Sequence, residues 1–212
     1  EGRKVFNIIG LLREAEFIGY PVVIKPQYGN KGKGVMLNLK NEKELIKAYT
    51  SLLKITKDII IEKYVKGNDY RICVVDYNVV AASLRVVPFV IGDGKSNIKA
   101  LINILNNDPL RGQDHEKPLT TIKFDKELCN CLYRQNMSLD YIPNKGEKVI
   151  LRENANLSTG GIAVDCTDDV CDENIDYCIR AAKALGLDIC GVDICTEDIS
   201  IPIDKQNGIV ME

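Results

Sequence analysis

The chain has 212 residues, 45% hydrophobic and 27% charged, with 28 basic against 30 acidic side chains and a formal net charge of -2. The balance excludes the basic excess that marks a nucleic-acid binder, and no apolar run reaches the roughly 18 residues of a membrane span, so neither nucleic acid nor a membrane is expected as a partner. The opening Glu1-Gly2-Arg3-Lys4 carries neither a starting methionine nor a signal peptide, which reads as a segment excised from a longer cytoplasmic protein. Eight cysteines without a Cys-x-x-Cys pair, beside one histidine, His115, argue against zinc and for reduced thiols used as small core residues.

The predicted elements follow in chain order. Ile9, Leu12 and Phe17 recur at helical spacing over Ile8–Ile18, and Gly19-Tyr20-Pro21 ends that helix. Strands are predicted at Val22–Lys25 and Val35–Leu39, a helix from Asn41 with Glu44 three residues on, and a buried strand at Ile59–Val65. Tyr70–Asp76 and Val79–Val87 read as a hairpin around Asp76-Tyr77-Asn78. After the Gly92-Asp93-Gly94 turn, a helix is predicted near Asn97–Asn106, then a polar loop at Asn107–Lys117 and a helix at Asp125–Gln135. The strand Glu147–Arg152 runs into the polar loop Glu153–Gly161. The helix Glu173–Leu185 stops at Gly186, and strands at Ile189–Cys195 and Ile209–Glu212 close the chain. Antiparallel-looking strand pairs with intervening helices indicate an α+β fold.

Four stretches carry chemistry. In Val22-Val23-Ile24-Lys25-Pro26-Gln27-Tyr28-Gly29-Asn30-Lys31-Gly32-Lys33-Gly34, an apolar strand closes on a lysine and enters a glycine-rich cationic loop. Glycines admit backbone N–H groups close to an anion and lysines add countercharge, so a polyphosphate is the expected guest. The spacing is neither that of a Walker loop nor that of a dinucleotide fingerprint, both of which open a helix; here a strand follows. Glu62-Lys63-Tyr64-Val65 leaves a buried strand and leads to Asp69, where linker backbone and a carboxylate can hold an adenine and Asp69 its ribose. An exposed acidic strand end is the plainer alternative. Asp193 and Glu212, on the last two predicted strands, could supply hard oxygens to Mg²⁺, the alternative being solvated face residues. Finally, Arg152, Asn154, Asn156, Ser158, Thr159, Gly160 and Gly161 crowd one loop with donors suited to a carboxylate or phosphate, although a polar turn would also look like this.

In this order the blocks resemble an ATP-grasp ligase. Gly19–Pro26 with its glycine loop, Glu62-Lys63-Tyr64 through Asp69-Tyr70-Arg71, Gly92-Asp93-Gly94, His115-Glu116-Lys117-Pro118-Leu119, and Asn154–Gly161 followed by Asp165 and Thr167-Asp168 carry the resemblance over nearly the whole chain. Within that family the Asn-Ala-Asn-Leu-Ser-Thr-Gly-Gly loop is more similar to the cyanophycin-synthesising branch than to the bifunctional glutathione-synthesising one. The resemblance implies two α/β lobes with mostly antiparallel sheets, gripping ATP between them. Residues 1–21 would be a linker and helix from a preceding region, 22–66 a small lobe with a glycine-rich lid, and 67–212 a large lobe with the metal and substrate site, incomplete at its C-terminus. It also implies that Lys25 holds nucleotide phosphates under a lid of Gly29, Asn30, Lys31, Gly32, Lys33 and Gly34. Glu62, Lys63, Tyr64 and Val65 would hold adenine, and Asp69 the ribose. Arg71 and Arg85 would face the γ-phosphate and the acyl phosphate as catalytic residues, Asp193 and Glu212 would bind Mg²⁺, and the Arg152–Gly161 donors would contact the peptide substrate. The family places a histidine where this chain has Lys31, and continues past Glu212 with a further metal ligand, so the segment alone is expected to be inactive.

The implied reaction adds aspartate to the C-terminus of a poly-aspartate primer through an acyl phosphate, in a protein that would be homo-oligomeric at full length and carry a muramyl-ligase-like domain. Another ATP-dependent amino-acid or peptide ligase, such as a glutathione-synthesising one, and a nucleotide-binding module without turnover are the alternatives. A protein kinase is a poor third reading, because the chain has no His-Arg-Asp loop or Asp-Phe-Gly motif.

Overall fold

The computed structural model describes residues 2–28, 34–113 and 116–211, and the chain divides into two compact units, Glu1–Val65 and Lys66–Glu212.

The first unit runs β1 (Arg3–Val5), α1 (Ile8–Ile18), β2 (Val22–Pro26), β3 (Met36–Leu39), α2 (Glu42–Leu52) and β4 (Ile59–Lys63). Its sheet has the order β1-β4-β2-β3 with every pair antiparallel. Both helices start on an asparagine. The Asn7 side chain accepts from Gly10 N at 2.8 Å and that of Asn41 accepts from Glu44 N at 3.0 Å, satisfying an amide that the helix cannot. Glu44 reaches back to Lys40 N at 2.8 Å, close to a capping box. Along β2 the side chains alternate. Val22 and Ile24 join Ile59 and Ile61 in a core covered by Leu11 and Ala15 of α1 and Leu45, Ala48, Tyr49 and Leu52 of α2. Each fully buried Leu or Ile of that set contributes about 2 kcal/mol. Residues 3–5, expected as linker, form edge strand β1 instead, with Arg3 opposite Ile61 and Val5 opposite Ile59. Three residues are too few for alternation to be read; the pairing is a tertiary event.

The second unit runs β5 (Asn68–Val75), β6 (Asn78–Val86), β7 (Phe89–Ile91), α3 (Ile98–Asn106), β8 (Arg111–Gly112), β9 (Leu119–Thr120), α4 (Lys126–Arg134), β10 (Lys148–Ile150), β11 (Ile162–Asp165), α5 (Asp172–Leu185), β12 (Ile189–Thr196) and β13 (Ile209–Val210). Its main sheet, β11-β6-β5-β12-β13, is antiparallel throughout. The β5–β6 hairpin turns on Asp76 and Tyr77, both at positive φ (50° and 56°), the twist that a two-residue hairpin loop needs. Tyr70, Ile72, Val74, Ala82, Val192 and Ile194 line one face of the sheet and are buried with Cys178 and Ala182 of α5.

A second core lies in the same unit. Val90, Ile98, Leu101, Ile102, Ile122, Leu128, Leu132, Val149 and Leu151 pack α3 and α4 with the β7–β10 pair. Two expectations change here. The stretch 162–165 pairs with β6 as β11, although its mostly exposed side chains left no apolar pattern to read. The polar stretch 107–117, expected as a loop, contains the two-residue strand β8 and a buried arginine, Arg111. No disulfide forms among the eight cysteines, and burial pushes the Cys178 thiol up to about 12 and that of Cys195 up to about 11. At neutral pH such thiols stay protonated and unreactive. Among the described residues no helix is long and apolar enough to cross a membrane.

Candidate functional site

The sheet face of the second unit opposite α5 is polar, and strand register decides what meets there. Arg71 of β5 lies directly opposite Asp193 of β12, while Asp69 lies between Arg85 of β6 and Cys195 of β12. Residues opposite each other in an antiparallel pair share a face, so Asp69, Arg71, Arg85 and Asp193 are brought together from three strands. The Asp193 carboxylate accepts from Arg71 Nη1 at 2.7 Å and from Arg85 Nη1 at 3.3 Å. Asp193 is 8% exposed. Withdrawing a carboxylate from water this far is costly unless charge-assisted hydrogen bonds replace the lost hydration, and the two guanidinium groups do so. Burial raises the Asp69 carboxyl above the usual carboxylate range; Arg85 opposes that rise and the negative Asp193 adds to it. Gly191 makes the arrangement possible, since a Cβ there would stand 2.1 Å from Arg71 Nε. Sequence reading passed over Gly191, because nothing in an apolar strand marks which glycine lies beneath a guanidinium.

The donor-rich loop of the same unit is tied down from within. Asn154 Oδ1 accepts from Thr159 Oγ1 at 2.8 Å and Asn156 N at 3.2 Å. The Asn156 carbonyl accepts from Thr159 N at 3.0 Å and Gly161 N at 3.1 Å. Ser158 sits in the short 3-10 turn Leu157–Thr159, and Gly160 follows at φ 100°. Arg152 is turned inward rather than presented at the loop. It is 3% exposed, and its guanidinium grips both carboxylate oxygens of Asp125 at 2.6 and 2.9 Å and donates to the Lys123 carbonyl at 2.9 Å. Asp125 also caps α4 by accepting from Leu128 N at 2.9 Å, so one carboxylate fixes the helix start and the strand leading into the loop. These bonds, together with the α4 first-turn amides, hold the Asp125 carboxyl below its ordinary range although burial works against them.

In the first unit Lys25 closes β2 on the face opposite the core. Its ammonium meets the Glu62 carboxylate of β4 at 2.6 Å, both side chains about one-third exposed (36% and 29%). The anion that a lysine at this place requires is thus supplied by a neighbouring strand. Lys63 Nζ donates to the carbonyls of Gly19 at 2.8 Å and Tyr20 at 3.2 Å, and Tyr64 N to that of Pro21 at 3.1 Å, which fixes the β4 exit against the α1–β2 turn. Val65 is half-buried. β2 and β3 pair on either side of the glycine loop, as a strand–loop–strand requires, and Gly34 takes φ 77°. Gly29, Asn30, Lys31, Gly32 and Lys33, the metal candidate Glu212 and His115 lie outside the described residues. Among the described residues no group of three or more His, Cys, Asp or Glu side chains could hold a metal ion. Asp193 offers one hard oxygen ligand of the kind Mg²⁺ prefers, engaged here by two arginines.

The model of the RimK-like ATP-grasp domain matches residues 7–100. The chain is 44% identical over 210 residues to a cyanophycin synthetase from Trichormus variabilis, an alignment covering 98% of this chain and 23% of that protein. It is 39% identical over 189 residues to the glutathione biosynthesis bifunctional protein GshAB of Listeria monocytogenes, covering 87% of this chain and 24% of that one. The chain therefore spans about a quarter of the length of the curated relatives it matches. Its fold superimposes on a bifunctional glutathione synthetase from Pasteurella multocida with a TM-score of 0.65 at 30% identity, over 95% of this chain and 28% of that structure. The α+β architecture, the antiparallel sheets and these likenesses agree: the chain has the ATP-grasp fold and is similar along nearly its whole length to one section of the cyanophycin synthetases.

Proposed function

We propose that the protein of which this chain is a section is an ATP-dependent carboxylate–amine ligase that adds L-aspartate to the C-terminus of a poly-aspartate primer. The observation that carries the reading is the gathering of Arg71, Arg85 and Asp193 on one sheet face. Two guanidinium groups beside a nearly buried carboxylate suit phosphoryl transfer, in which negative charge spreads over the transferring group. In this reading Arg71 and Arg85 leave Asp193 to take the oxygens of the γ-phosphate and then of the acyl phosphate. Asp193 and Glu212 would hold Mg²⁺, which supplies charge neutralisation on the phosphates. Lys25, released from Glu62, would take nucleotide phosphates with the lid residues 29–34, leaving Glu62, Lys63, Tyr64 and Val65 for adenine and Asp69 for the ribose. The loop Asn154–Gly161, fixed from within, would present Asn156, Ser158, Thr159 and Gly160 to the peptide. Arg152 supports that loop through Asp125 rather than meeting the substrate. The high thiol values of Cys178 and Cys195 agree with a reaction that needs no cysteine nucleophile.

The test is ADP release by the full-length protein with aspartate, arginine and a poly-aspartate primer, set against γ-glutamylcysteine and glycine. Release that depends on primer and aspartate supports the proposal. Release only with γ-glutamylcysteine and glycine replaces it by the glutathione-type reading, which the 39% identity to the Listeria protein favours as the second choice. Nucleotide binding with no acceptor-dependent release would leave a binding module without turnover.

A further inference from the structure

We infer that Arg111 is a positioning residue of this site: its buried guanidinium holds the Gly160 carbonyl inward, and so fixes and positively polarises the Asn154–Gly161 loop that takes the carboxylate substrate. The identity of the substrate rests on the ligase reading above; the clamp rests on geometry alone. Arg111 belongs to the two-residue strand β8, paired in parallel with β9. It is 6% exposed, its Nη1 donates to the carbonyls of Thr120 at 2.6 Å and Gly160 at 3.3 Å, and its Nε is buried without a partner. Among the described residues no carboxylate pairs with it; burial lowers its value below the usual guanidinium range, and Asp108 opposes that fall without forming an ion pair.

A buried guanidinium held by carbonyl oxygens alone is an expensive way to brace a loop, because desolvation of the charge is not returned by a countercharge. Arg152, which braces the other end, shows the cheaper way: its charge is met by both oxygens of Asp125. The two arginines thus grip the same loop at opposite ends and differ in one respect. Arg152 is neutralised, and Arg111 keeps its positive charge beneath the loop. The seat is rigid, since a Cβ on Gly160 would stand 2.0 Å from Ile122 Cδ1, and Ile122 is itself held by two hydrogen bonds to the Asn106 side chain at 2.8 and 2.9 Å. A fixed positive charge behind a loop of donors favours an anionic ligand such as a peptide carboxylate, and does so independently of nucleotide.

Arg111→Met, Arg111→Gln and Arg111→Lys in the full-length protein test this with three readouts. Amides of Thr159, Gly160 and Gly161, all hydrogen-bonded within the loop, are expected to exchange about tenfold faster or more in Arg111→Met. KM for a poly-aspartate peptide should rise about tenfold or more while the dissociation constant for ATP·Mg stays within about twofold. Arg111→Gln, which can still donate to a carbonyl, should recover exchange protection without recovering KM, and Arg111→Lys should recover part of the KM. Unchanged exchange in Arg111→Met would sink the clamp. Peptide KM and nucleotide affinity weakening together, in step with a falling melting temperature, would reduce Arg111 to a structural residue. Should Arg111→Met fail to fold, the Gln and Lys variants carry the same comparison of donor against charge. A wild-type protein that turns over neither poly-aspartate nor γ-glutamylcysteine would bring down the ligase reading, while the exchange measurement still decides the clamp.

Discussion

Lys25 with Glu62 in the first unit and Asp193 with Arg71 and Arg85 in the second are built from the same interaction, a cross-strand ion pair on the polar face of an antiparallel sheet. They differ in burial and in number. Lys25 and Glu62 form a one-to-one pair, each side chain about one-third exposed, whereas the Asp193 side chain is 11% exposed and shared by Arg71 and Arg85, themselves 41% and 26% exposed. Water replaces a lost partner at the first site. At the second, removing the carboxylate leaves two like-charged guanidinium groups side by side, only partly solvated. A shared, buried carboxylate is therefore structural as well as chemical, and a solvated pair can be exchanged for a ligand at little cost in stability.

The sharpest way to break the comparison is Asp193→Asn. It should lower the stability of this chain in urea denaturation by about 3 kcal/mol and abolish turnover in the full-length protein. A loss below about 1 kcal/mol would mean that the Asp193 cluster is as solvated as the Lys25–Glu62 pair. Gly191→Ala comes next. Its Cβ would lie 2.1 Å from Arg71 Nε and displace the guanidinium from Asp193, but that guanidinium ends a flexible, partly exposed side chain, so the expected cost is about 1 kcal/mol by the same measurement. Lys25→Met and Glu62→Gln should each change stability by less than about 1 kcal/mol, because the pair is solvated. Lys25→Met should nevertheless weaken ATP·Mg binding by the full-length protein by about tenfold or more, read by titration calorimetry.

The smallest effect belongs to a carboxylate satisfied locally rather than across strands. Asp93 is pulled down to about 2, first by Ser96 N–H, then by the Ser96 hydroxyl and Lys95 N–H. Its folded value lies below its ordinary 3.8, so its stabilising contribution is complete above about pH 4 and disappears as pH falls towards 2. Carbon-detected titration of the Asp93 carboxyl should show that midpoint, and Ser96→Ala should move it upward. An unshifted midpoint would mean that the Gly92-Asp93-Gly94 turn is open in solution.

Much of the molecule was legible without coordinates, for a physical reason that can be stated. Caps, turns and alternation are local: Asn41 with Glu44, Asp76-Tyr77 as a hairpin turn and the buried alternation of Ile59 and Ile61 act within a few residues of themselves. Asp193 and Arg71 could be nominated from their strands and from family resemblance, but their pairing is a matter of register between segments 122 positions apart. Arg152 shows the limit from the other side. Its position in a donor-rich loop suggested a substrate contact, whereas Asp125, 27 residues away, turns it into the core. Arg111 left no signal, since a buried arginine in an Arg-Gly pair looks like any polar turn until the carbonyl it holds, 49 residues on, is packed against it.

The sequence by itself determined the helices and the longer strands, the α+β class and the strand–loop–strand around the glycine loop, because backbone preference and side-chain period are set by near neighbours. Only the tertiary structure decided which charges neutralise which, because burial and the distance between opposite charges exist only after strands far apart in the chain have found their register.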